Sequence, residues 1–243
     1  MRPVTKWEHT NPAIVPPIQE EYNPYSDARD DLERNIGAYC SYCERPIEDE
    51  ASHIEHIQAK GLAKYAHLRF KWSNFLFSCH RCNGSDNKGN KDVILGEVHL
   101  PNLNNTMLSI VYEEGGFIKI NPALQNQELI HAEALINLVG LDKRPGHDEH
   151  RPKDKRWQRR RKAWEIAKRY LNAYTDGRAD ILTIIDLAKG YGFWSVWYTL
   201  FELYPEVRQH LITAFNGTAQ NCFDAANNYQ PIPRNPHNAA DHI

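Results

Sequence analysis

Two cysteine pairs, Cys40-Ser-Tyr-Cys43 and Cys79-His-Arg-Cys82, stand 35 residues apart (44–78). A C-x-x-C turn brings two sulfurs to one ion, and four thiolates close a tetrahedral shell around Zn²⁺. A closed shell has no open position for substrate, so zinc here is expected to be structural. The competing reading is four unrelated buried thiols, but two such pairs seldom arise together by accident. His80, inside the second pair, is expected to be exposed rather than a ligand. Cys222, the fifth cysteine, has no sequence partner and reads as a small buried hydrophobe. Between and beside the pairs lie polar groups able to do acid–base and metal chemistry: Ser52-His53-Ile-Glu55-His56-Ile57, Trp72-Ser-Asn74-Phe-Leu76, Cys82-Asn83 and Asn87-Lys88.

These residues resemble the HNH, or ββα-metal, nuclease family in its cysteine-bearing branch. The family pattern is an acidic residue and a His at a strand end, an Asn in the hairpin, and C-x-x-C-Asn opening a helix. The match covers about residues 38–92. It implies phosphodiester hydrolysis by in-line attack of water. His56 fits the general base, since imidazole titrates near neutral pH. Glu55 and Asn83 offer hard oxygen ligands for a catalytic Mg²⁺ or Mn²⁺. By the family pattern Asn74 buttresses the hairpin and orients His56. His53, two residues before Glu55, falls on the same strand face and could add a ligand or a supporting contact; the bland reading is a polar surface histidine.

Two features depart from the pattern. Glu55 stands where the family more often has Asp. Asn83 and Lys88 are five apart rather than three, which leaves both Asn83 and Asn87 able to face the metal; Asn83, fixed directly by Cys82, is the expected one. A narrower similarity rests on Met1-Arg-Pro-Val4, Tyr39-Cys-Ser-Tyr-Cys-Glu44, the His-Ile-Glu-His core and Phe215-Asn-Gly-Thr-Ala with Cys222-Phe223. These resemble the HNH partner of Septu-type ATPase–nuclease antiphage defence pairs, some of which accompany retrons. That resemblance implies an ABC-like ATPase partner and activity restrained until infection. The alternative is a catalytically silent zinc-dependent module that binds nucleic acid or docks the ATPase. A pure binder has no reason to carry Glu55, His56, Asn74 and Asn83 together.

The elements that must position these residues can be read from local signals. Residues 1–25, rich in Pro and Tyr, read as an extended arm. Ser26 can cap a helix through Ile36, with Ala28, Leu32 and Ile36 on one face and Gly37 as the stop. Leu108–Tyr112 and Phe117–Ile120 flank Glu-Glu-Gly-Gly as a hairpin. Beyond Asn121 the periodicity turns helical. One helix carries Leu129 to Leu138 and ends at Gly140, and another carries Trp157, Trp164 and Tyr174. Three more run over 181–187, 193–203 and 207–215, punctuated by Gly190, Pro205 and Gly217. The expected fold class is α+β: an arm and short helix (1–37), a zinc-stapled ββα-metal HNH core with its following hairpin (38–120), a helical region (121–230) and a disordered tail (231–243).

Charge is uneven. Residues 1–60 hold six Lys/Arg against twelve Asp/Glu, whereas residues 151–170 hold ten against two. The basic stretch suggests a local nucleic-acid face (DNA or RNA), with Arg159, Arg160 and Arg161, together with Lys88, as phosphate contacts. The competing reading is an amphipathic helix with its arginines in water. Trp157 and Trp164 are seven apart, which favours packing for them. The many aromatics after Ile181 are mostly core, with some available to a partner. The N-terminal stretch lacks a signal-peptide core, and the greasiest run, 193–201, is too short to span a bilayer. A cytoplasmic location is expected.

Overall fold

Apolar residues at Ala28, Leu32 and Ile36 share one helical face, and in the computed structural model that face is buried along α1 (Arg29–Ile36). Gly37 stops the helix at φ 77°, a conformation that favours glycine. Ser26 makes no cap; a 3-10 turn over Tyr25–Ala28 leads into α1 instead. The structure describes residues 1–47, 52–238 and 241–243, with 52 and 53 by their backbone alone.

Strands β1 (Ser52–His56) and β2 (Phe75–Cys79) form an antiparallel hairpin in which Glu55 faces Leu76 and His56 faces Phe75. Every residue of β2 is buried, so this strand is the hydrophobic anchor of the unit. One turn of helix, α2 (His80–Asn83), follows without a break and ends at Gly84, where a Cβ would lie 2.6 Å from the His80 carbonyl. A short helix α3 (Thr106–Ser109) precedes the expected second hairpin, β3 (Ile110–Glu113) with β4 (Phe117–Ile120). The first of these strands starts two residues late because Asn105 caps the α3 turn through the Met107 amide.

The helices are α4 (Asn126–Val139), α5 (Arg156–Thr175), α6 (Ile181–Tyr191), α7 (Trp194–Leu200) and α8 (Pro205–Ala214). Gly140 ends α4 in the left-handed region, as expected. Gly190 does not punctuate α6, which runs through it and stops at Gly192, φ 69°. There a Cβ would press on the Glu44 carbonyl at 2.7 Å, so helix end and cysteine loop approach only because the residue is glycine. A minimal pair, β5 (Phe223–Asp224) and β6 (Gln230–Pro231), completes the α+β architecture. Among the described residues no helix is long and apolar enough to cross a membrane.

The buried core is continuous from Met1 to Phe223, so position 121 marks a change of element type and not a break in packing. Two expectations about the ends are corrected. The arm is irregular but not peripheral: residues 1–4 are buried, and the Arg2 guanidinium donates to the Ile36 and Asn216 carbonyls. The Arg2 amide donates to Glu44, which also accepts from the Ser195 amide and hydroxyl, locking arm, cysteine loop and α7 together. The tail is not loose either. Asp241 and Ile243 are buried, and Asn104 donates to the Ile243 carbonyl at 3.1 Å.

Candidate active site and metal centre

The hairpin and α2 bring both cysteine pairs together. The sulfurs of Cys40, Cys43, Cys79 and Cys82 all lie within 4.8 Å of one another, and all four residues are buried. Cys43 Sγ and Cys79 Sγ are 3.7 Å apart. A disulfide would need about 2.05 Å. The edge of a tetrahedron with Zn–S bonds of about 2.3 Å is roughly 3.8 Å, close to the spacing of this pair. Burial, with a hydrogen bond to Cys40, pushes the Cys43 and Cys82 thiols well up. Cys40 and Cys79 are lowered by hydrogen bonds from their neighbours, so the cluster shares its protons unevenly without an ion, and the donor set of four buried sulfurs fits a metal ion such as zinc. Arg156 of α5 donates to Cys82 Sγ at 3.2 Å and to the Val139 and Gly140 carbonyls, while Asp154 holds its other edge. His80 is exposed and Cys222 is buried among apolar neighbours, both as expected.

Beside this centre a cleft of about 290 Å³ is lined by Glu55, His56 and Asn83, together with Tyr25, Arg29, Lys60, Lys88 and Asn90. Glu55 and His56 are consecutive in β1, so they leave opposite faces of the strand. Glu55 is fully buried. Its Oε1 pairs with Lys88 Nζ at 2.6 Å and accepts from Tyr42 at 3.5 Å, while its Oε2 has no partner among the described residues. Burial raises the Glu55 carboxyl to about 7 in spite of Lys88. His56 is wedged edge-on between Tyr25 and Phe75. Its Nε2 lies 2.9 Å from the Arg69 carbonyl, which can only accept, so Nε2 carries the proton and Nδ1 keeps the lone pair. Burial lowers this imidazole to about 4 and keeps it neutral.

Asn74 does not line the cleft. Its side chain pairs with Gln58 like a strand neighbour, accepting from the Gln58 amide at 2.8 Å and donating to the Gln58 carbonyl at 3.0 Å. A further bond to the Leu68 carbonyl closes the 57–74 loop over the hairpin, so Asn74 positions rather than touches. Asn83 reaches the cleft; Asn87 turns away, donating to the Arg81 carbonyl and accepting from Lys143. The side chain of His53 lies outside the described residues.

Two expected phosphate contacts are corrected. Lys88 is 1% exposed, held between Glu55 and the His56 carbonyl at 2.7 Å, so its charge is spent inside the protein. Arg160 is also buried and donates to the Gly116 and Leu141 carbonyls. Arg159 and Arg161 are exposed, as a solvent-facing or nucleic-acid-facing helix surface requires. Besides the paired Lys88, the cations that line the cleft are Arg29 and Lys60, the latter lying 3.7 Å above the Tyr25 ring. Neither stood out in the sequence, because nothing local links α1 to the end of β1. No protein-family model matches the chain, and a search of curated proteins finds no match.

Proposed function

We propose that the chain is a metal-dependent HNH-type nuclease. The observation that carries this reading is Glu55 Oε2, a buried and unpartnered carboxylate oxygen in a cleft shared with His56 and Asn83. A buried carboxylate oxygen with no donor is costly, and a cation on the side away from Lys88 would complete it. Glu55 and Asn83 would hold Mg²⁺ or Mn²⁺, hard-oxygen ions that neutralise charge developing on a phosphate and its leaving oxygen. His56 would act as the general base through Nδ1, neutral and with its ring fixed through Nε2 by the Arg69 carbonyl, although burial that lowers it to about 4 makes it a weaker base than the near-neutral imidazole expected from the sequence. Lys60 and Arg29 supply positive charge at the mouth for a phosphate backbone. The order hairpin, Cys-x-x-Cys, Asn-bearing helix supports the ββα-metal assignment of this core. An ABC-like ATPase partner belongs to the same reading, with Leu182 and Leu203, 69% and 80% exposed, as candidate contacts on the helical half.

A second reading, a silent binding or docking module, is favoured by the Glu55–Lys88 pair, which already neutralises one carboxylate oxygen without metal. The two readings part on His56→Ala. A nuclease variant should fold, retain zinc and bind nucleic acid while cleavage of labelled DNA or RNA with Mg²⁺ or Mn²⁺ falls about a hundredfold or more. The assay is run with and without a candidate ABC-like ATPase partner. Equal activity in a folded, zinc-loaded variant refutes the mechanism; no cleavage by the parent under any condition favours the second reading.

A further inference from the structure

Three side chains far apart in sequence meet in the interior behind the second hairpin. His99 precedes α3, His131 lies on α4, and Asp241 lies in the last segment; they are 0%, 2% and 7% exposed. His99 Nε2 is 3.1 Å from Asp241 Oδ1, and His131 Nδ1 is 2.7 Å from Asp241 Oδ2. One nitrogen of each ring and one carboxylate oxygen lie within 4.8 Å of one another. The outward nitrogens are engaged as well, His99 Nδ1 with Ser109 Oγ at 2.8 Å and His131 Nε2 with the Gln127 amide at 3.2 Å.

We propose that His99, His131 and Asp241 form a second metal site, for a borderline divalent ion such as Zn²⁺, that clips the C-terminal segment to the body of the protein. Two imidazoles and a carboxylate are a donor set that suits zinc better than Mg²⁺ or Ca²⁺. Ligand atoms around such an ion sit about 3.3 Å apart for bonds near 2.05 Å. The observed 3.1 and 2.7 Å run to the two different oxygens of Asp241, and the three ligand atoms lie within 4.8 Å of one another, so closing around one ion takes side-chain shifts of roughly an ångström or less at each residue. Metal-binding histidines characteristically use their other nitrogen to hydrogen-bond a fixed partner, the role Ser109 and Gln127 can fill. With the ion bound, the outward nitrogens carry the protons. Ser109 Oγ can accept one, and Gln127 can accept the other through its amide oxygen after a flip of the side chain.

The arrangement also has a metal-free alternative. Both inward nitrogens could carry protons and donate to Asp241, making a hydrogen-bonded latch of the same shape. The distinction is measurable without any nuclease assay and does not depend on the nuclease reading. Full-length protein equilibrated with Zn²⁺ and freed of excess should hold two equivalents by elemental analysis. Asp241→Asn and His131→Ala should each hold one, with second-site affinity reduced more than a hundredfold, since loss of a mere supporting contact already costs 10–100-fold. Cobalt substitution separates the sites: the cysteine centre gives sulfur-to-cobalt charge-transfer bands that the variants keep. The His/Asp site adds only weaker visible bands, which the variants lose. Zinc should also slow tryptic cleavage at Arg234 in the parent and not in Asp241→Asn. One equivalent of zinc in the parent, with cobalt bands of cysteinate type alone, overturns the proposal in favour of the latch, even if both variants fail to fold.

Discussion

Replacing Lys88 with Met should leave the buried Glu55 carboxylate with no cation beside it. The Glu55–Lys88 pair is short, 2.6 Å, with both side chains essentially unexposed. Removing one member of such a pair leaves an uncompensated buried charge and costs about 3–5 kcal/mol. For a chain of this size that corresponds to a fall in Tm of roughly 6–20 °C. The pH dependence identifies the cause. Even with Lys88 present, burial holds the folded Glu55 carboxyl near 7, above its ordinary 4.5. A raised carboxyl pKa means that the folded state binds more protons than the unfolded one. Its penalty is therefore absent below about 4.5, grows as pH rises, and is complete above 7, where it amounts to about 3 kcal/mol. Without Lys88 the folded value climbs further, so the window widens upward. Urea unfolding without added divalent ions should show Lys88→Met strongly destabilised at pH 8 and close to the parent at pH 5. Adding Glu55→Gln should recover most of the loss at pH 8, because replacing both partners removes the buried charge. Equal destabilisation at pH 5 and pH 8, or a loss under about 1 kcal/mol at pH 8, would refute this account of the site.

Cys40→Ser should lose the metal of the cysteine centre and, since Arg156 then faces a disrupted cluster, unfold at lower denaturant; elemental analysis with a urea curve checks both. Arg160→Ala should cost about 2–4 kcal/mol, because it strands the Gly116 and Leu141 carbonyls. Arg159→Ala with Arg161→Ala should leave stability within about 0.5 kcal/mol and flatten the log–log salt dependence of nucleic-acid binding by about one to two. Gly217→Ala should lower Tm by roughly 4–8 °C, since φ is 68° and a Cβ would lie 2.4 Å from the Asn35 carbonyl.

What was legible in the sequence was local. The cysteine pairs converge, Gly37 and Gly140 stop their helices, and the Glu-Glu-Gly-Gly turn joins two strands, because each signal acts within a few residues of its effect. The misread positions depend on partners far along the chain. Lys88 looked like a surface cation until Glu55, thirty-three positions earlier, was placed against it. Arg160 lies in a basic run, yet faces inward because α5 packs on the loop at Gly116, where a Cβ would meet the Arg161 backbone at 2.6 Å. The tail reads as polar and proline-rich, and only the histidines at 99 and 131 give Asp241 somewhere to go. Gly190 faces open space and nothing around it requires glycine, so α6 runs through it, whereas Gly192 sits where nothing larger fits.

The bond from Arg156 to Cys82 would make an ion held by the four cysteines a clock. All four sulfurs are shielded, and this one is capped by a guanidinium that also grips the end of α4 and the Asp154 loop. A chelator in solution could not touch such an ion until that cap lifts. Release would then be paced by breathing of the packed helices and not by the strength of zinc–sulfur bonds. Stripping rates that level off as chelator concentration rises would report how often the interior opens.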